Sequence, residues 1–81
     1  MLDIIWDLDE EDSGNVKHIA EHDLTKDDVA SVLCNPEAEA KSLSSGRPIR
    51  FGHTSDGRYI AVVFEWVNND SVYPVTAYEI D

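Results

Sequence analysis

Nine consecutive residues, Tyr59-Ile60-Ala61-Val62-Val63-Phe64-Glu65-Trp66-Val67, include eight apolar or aromatic side chains. In a strand, successive side chains point to opposite faces, so this run offers water neither face. It is therefore expected to be a central strand, with Ile60, Val62 and Phe64 buried on one face and Ala61 and Val63 on the other.

The flanking segments read as its neighbours. Ile49, Phe51 and His53 alternate with Arg50 and Gly52, which marks a strand with two distinct faces. Ser55-Asp56-Gly57 joins it to the central run, and Asp-Gly between alternating segments is a strong hairpin signal because both residues tolerate positive φ. Asn68-Asn69-Asp70-Ser71 closes a second hairpin into a last strand, Val72 to Ile80. There Val75 and Ala77 share one face, Thr76, Tyr78 and Ile80 the other, and Pro74 requires an edge on one side because it lacks an amide to pair. Residues 38–44 read as a weak edge strand, followed by the turn Ser44-Ser45-Gly46.

The first half differs in period. Leu2, Ile4 and Trp6 alternate with Asp3, Ile5 and Asp7 as a short strand, and the acidic run Asp7 to Asp12 follows as a solvated turn. Val16, Ile19 and Ala20 lie at helical spacing, predicting a helix over about residues 14–22 capped by Ser13 or Asn15. Leu24 packs its exit. Thr25 with Asp28 resembles a capping box, Val29, Val32 and Leu33 form an apolar stripe, and Asn35-Pro36 stops the chain, so a second helix spans about 26–34. The order β-α-α-β-β-β-β describes an α+β domain, with two short helices packed on one face of a mostly antiparallel sheet. At 81 residues the chain is expected to form a single domain over residues 1–81.

No apolar run approaches the roughly 20 residues that a bilayer demands, and no signal segment opens the chain, so a cytoplasmic protein without membrane contact is expected. A lone Cys34 fits a reducing compartment and reads as a small packing residue. Charge is the sharper constraint. Lys and Arg total 6 against 17 Asp and Glu, a net charge of −11. Residues 1–40 hold 2 of the bases and 12 of the acids, so any anion site belongs in the second half. Arg47, Arg50 and Arg58 lie there, and the hairpin between them is where guanidinium groups are expected to converge. The surrounding negative field limits RNA to weak, salt-sensitive binding at most.

His18-Ile19-Ala20-Glu21-His22 fits the H-x-x-E-H pattern, in which two histidines one turn apart hold zinc. A catalytic zinc needs a third protein ligand and a cleft, so no metal is expected and the histidines read as helix-end residues. No nucleophile motif, phosphate loop or dinucleotide turn is present, and no cofactor is expected. The aromatic residues sit mostly on strands and read as core.

Several of these residues together resemble the BrnT family of toxins. They are Trp6-Asp7 in a first strand, a short helix ending in His22, Leu24-Thr25-Lys26-Asp27-Asp28-Val29 opening a second helix, and Asn35-Pro36. Arg47 with Phe51-Gly52, the run Gly57-Arg58-Tyr59-Ile60-Ala61-Val62-Val63-Phe64, and Val75-Thr76-Ala77 complete them. The resemblance implies a RelE-like α+β ribonuclease paired with a DNA-binding antitoxin. It places the family's histidine at His22, its sheet arginines at Arg47 and Arg58, and its tyrosine-like aromatic at Phe64. Tyr78 stands where the family usually has arginine, and this sequence ends at Asp81 where the family continues into a basic helix.

Two readings follow. In the first, the chain is a metal-independent endoribonuclease of a toxin–antitoxin pair. His22 or His53 acts as base or acid, Arg50 and Arg58 stabilise charge on the phosphorane-like transition state, and Arg47, Arg50 and Tyr78 hold substrate. In the second, it is a catalytically silent module whose acidic helical half binds a basic partner protein, where the first reading would supply an antitoxin.

Overall fold

The computed structural model describes residues 2–80, and its elements follow the expected order. They are β1 (Asp3–Ile4), α1 (Asn15–Ala20), α2 (Lys26–Cys34), β2 (Ala38–Lys41), β3 (Pro48–His53), β4 (Tyr59–Trp66) and β5 (Ser71–Glu79). The five strands form one sheet in the order β1-β5-β4-β3-β2. All neighbours are antiparallel except β1, which runs parallel to β5. The fold is α+β.

The apolar run is β4, central as its composition demands. Ile60, Val62 and Phe64 join Ile19, Leu24, Val29, Val32, Leu33, Val72 and Ala77 in one core between sheet and helices. Ala61 and Val63 are buried on the opposite face. α2 packs over β3 at Gly52, where a Cβ would meet both Val32 methyls at 3.4 Å, an ordinary van der Waals contact. The capping box forms as expected, with Asp28 N donating to Thr25 Oγ1 and Thr25 N to Asp28 Oδ2.

Three local expectations are corrected. α1 covers six residues rather than nine, because the amides of His22 and Leu24 both donate to the Ile19 carbonyl and turn the chain. Asp23 takes the left-handed conformation (φ 60°) there, and Leu24 drops into the core. The N-cap of α1 is Gly14, with no side-chain cap; the Asn15 amide donates instead to the Asp7 carboxylate at 2.9 Å. The third correction concerns β5, whose register shifts where Val63 pairs with Thr76 and Phe64 with Pro74. This bulge around Val75 makes Val72, Pro74 and Ala77 the buried positions, while Val75 is half-buried. Pro74 is tolerated because β1 pairs only with Ser71 and Val72, leaving the rest of that side of β5 without a strand.

Asn15 ties these parts together. It is 2% exposed, accepts from Asp7 N at Oδ1, and donates through Nδ2 to the carbonyls of Ile5 and Pro74. The loop after β1 is thus held to the bulged part of β5, where no strand is available to pair with it.

Candidate functional site

The arginines of the second half do not converge. Arg50 lies on the helical face of β3, opposite to Ile49 and Phe51. Its Nε donates to Glu39 at 3.1 Å and its Nη1 to the carbonyl of Leu33 at 2.6 Å, so it closes the C-terminal end of α2. Its guanidinium also sits over the rings of Phe64 and Trp66, at 5.3 and 5.6 Å.

Arg58 works at the other end of α2. It donates to both oxygens of Asp56, to the carbonyl of Asp23 and to Asp28 of the capping box, binding the β3–β4 turn to the helices. Donating to the Asp56 carboxylate raises the proton affinity of Arg58. Thr54, then Arg58, lower the pKa of the Asp56 carboxyl by donating to it. Arg47 pairs with Glu65 at 3.5 Å.

The remaining expected site residues are dispersed. His22 is exposed just past α1, its ring edge-on to His18 with centroids 5.6 Å apart. His18 Nε2 meets Thr76 Oγ1 at 2.8 Å on β5. His53 lies at the far end of β3, where Nδ1 is 2.7 Å from Glu37 Oε2, and this contact lowers the pKa of Glu37. Among the described residues, no group of three or more His, Cys, Asp or Glu side chains is placed to hold a metal ion.

His53 and Tyr78 do share a surface. By strand alternation and register, Ile49, Phe51, His53, Tyr59, Ala61, Val63 and Tyr78 point away from the helices. Phe51 stacks on Tyr59 at 6.3 Å and His53 tilts against the same ring at 4.8 Å. The apolar sides of both helices pack on the other face, and this one is reached at its β5 side, where Thr76 meets His18 of α1 and Tyr73 donates to Asp7. Its aromatic residues were expected to be core, but Phe51 and Tyr59 are only half-buried and Tyr78 is exposed, because both helices belong to the other side.

A concave feature lies on the helical side. A groove of about 810 Å³ opens beside the C-terminal part of α2, lined by Leu2, Ile4, Ala30, Leu33, Cys34 and Trp66, with Asp3 and Arg50 as its polar groups. Cys34 is exposed here, not packed as expected, since it falls beyond the buried stripe of Val29, Val32 and Leu33. The position of Trp66, next to the polar turn Asn68-Asn69-Asp70, is the only hint of this groove in the sequence: burial must give out where β4 leaves the sheet.

The ion pairs account for most of the positive charge. Lys17 pairs with Asp12 and Lys26 with Asp9, so of the six Lys and Arg only Lys41 lacks a carboxylate partner among the described residues. Exposed acids of the helical half, including Glu10, Glu11, Glu21, Asp23 and Asp27, have no cationic partner there. Among the described residues, no helix is long and apolar enough to cross a membrane. Comparison with family models, curated proteins and solved structures finds no match to this chain.

Proposed function

We propose that this chain is a catalytically silent protein-interaction module of the cytoplasm, whose acidic helical half recruits a basic partner protein. The commitment of five of the six Lys and Arg side chains to internal carboxylates carries this reading. The ribonuclease chemistry implied by the BrnT resemblance needs cations that face a phosphate. Arg50 and Arg58 instead spend their donors on helix carbonyls and acids, and using them would release both ends of α2. The unpaired acids attract polycations and repel RNA, so the same surface that disfavours cleavage steers a basic protein toward the helices.

Two measurements test the proposal together. Purified protein incubated with structured RNA should leave it intact, and induced expression should leave growth and transcripts unchanged. Titration with a lysine-rich peptide should shift the amides around residues 9–12 and 21–27, and the shifts should weaken steeply with salt. RNA cleavage abolished by His53→Ala, or phosphate-induced shifts centred on residues 50–58, would overturn the proposal in favour of the ribonuclease.

A further inference from the structure

On the helical side of the sheet, α1 packs against β5 and α2 against β3 and β4. The groove opens where they stop. Leu2 and Ile4 of β1 and Trp66 at the end of β4 form one side of it, and Ala30, Leu33 and Cys34 of α2 the other. Trp66 and Cys34 are exposed there, an aromatic ring and a thiol with no covering layer among the described residues. We propose that this groove is the docking site of the basic partner, which enters it with the apolar side of an amphipathic α-helix. The proposal rests on the reading above for the partner's charge, and adds to it the site and the form of the docking segment.

The floor of the groove decides the conformation of what enters. β3 and β4 are interior strands with a neighbour on each side, so an extended segment laid over them finds no free ladder to join. A chain in an apolar groove must then satisfy its own N–H and C=O groups, which a helix does. The size agrees. Two turns of an α-helix about 10 Å across occupy about 850 Å³, against a groove of about 810 Å³. Ala30 and Cys34 stand one turn apart on the wall, and their small side chains let a second helix approach α2 to the ordinary packing distance of about 8–10 Å.

Charge makes that helix basic. Arg50 is the one cation in the lining, and Glu39 already meets its charge at 3.1 Å. Asp27 precedes Ala30 by three positions and Cys34 by seven, so it continues the same stripe of α2. It is exposed and has no cationic partner among the described residues. At its other end α2 has no basic residue in the last turn, which leaves the negative end of the helix dipole to Arg50 alone. Lysines flanking an apolar stripe meet favourable charge at both ends of this wall, whereas glutamates in their place would be repelled.

Two synthetic peptides of about 18 residues and equal Leu, Ala and Lys content test the proposal, one with leucines at i, i+3, i+4 and i+7 and one with that order scrambled. In NMR titrations the amphipathic peptide should shift the amides of residues 2–4, 30–34 and 66 and bind at least about tenfold more tightly than the scrambled one. It should also slow alkylation of Cys34, the single cysteine of the chain. Raising salt from about 0.05 to 0.5 M should release the scrambled peptide and leave the amphipathic one bound, because apolar burial is not screened. Cys34→Lys, at an exposed position on the wall, should weaken the amphipathic peptide at least about tenfold with unchanged melting. Tyr78→Ser, on the opposite sheet face, should leave it unchanged. Equal affinity for the two peptides, with shifts confined to residues 9–12 and 21–27, would overturn the groove and leave the acidic interaction surface standing. Binding of neither peptide up to about 1 mM would overturn both proposals.

Discussion

Replacing Asn15 by serine separates two roles for this residue. If Asn15 merely started α1, serine would substitute well, because both are strong capping residues. The structure gives it another task, because its side chain accepts from Asp7 N at 2.9 Å and donates to Ile5 and Pro74 carbonyls at 3.1 and 3.0 Å. A serine hydroxyl has one donor and too short a reach for the three partners. With a net worth of about 1 kcal/mol for each hydrogen bond, and a larger penalty wherever a buried acceptor is left alone, the loss is about 3 kcal/mol. An 81-residue domain has roughly 4–12 kcal/mol in total. The melting temperature should fall by about 12–24 °C, at about 4–8 °C per kcal/mol for a domain this small. Asn15→Ala should melt close to Asn15→Ser. Urea unfolding followed by tryptophan fluorescence gives the free energy independently, and hydrogen exchange at the Asp7 amide should quicken in both variants. A melting temperature for Asn15→Ser within about 3 °C of the parent would refute the clamp and restore the capping role.

Val62→Asp should unfold the protein, because Val62 is fully buried in β4 and an unpaired carboxylate costs several kcal/mol there; a soluble variant with a cooperative melt would contradict the central placement. Stability should decline in acid. The pKa of Asp7 is lowered first by the Tyr73 hydroxyl and then by the Asn15 amide, while His53 lowers that of Glu37 and Thr54 that of Asp56. A depressed folded pKa means that these groups stabilise the fold above their unfolded values, and the contribution disappears as pH falls below about 4. Tyr73 has the opposite sign, since the Asp7 carboxylate raises its pKa and its contribution is lost only as pH climbs beyond about 10. Urea midpoints measured from pH 3 to 7 should therefore rise with pH at the acid end, and Tyr73→Phe should flatten that rise; an unchanged slope would remove Asp7 from the account.

Local signals decided most of the elements. The two-sided apolar run made β4 central, the period-two segments around it made β3 and β5, and Thr25, Asp28 and Asn35-Pro36 marked the ends of α2. Each rests on interactions within a few residues or on a pattern whose only stable solution is burial, so the linear order was enough to read it. The site was far less legible. Arg47, Arg50 and Arg58 are neighbours in sequence and suggested a shared anion site, yet Arg50 and Arg58 serve opposite ends of α2 and Arg47 turns to Glu65. Which carboxylate or carbonyl a guanidinium finds depends on how helix and hairpin cross, and no spacing rule carries that information. Asn15 read as a cap and proved to be a long-range clamp for the same reason: its partner carbonyl belongs to Pro74, fifty-nine residues away. The outer sheet face follows the same logic. Alternation determined which side chains share a face, but only the docking of both helices on the other side decided that Phe51, Tyr59 and Tyr78 would meet solvent, because the choice of face is made by tertiary packing.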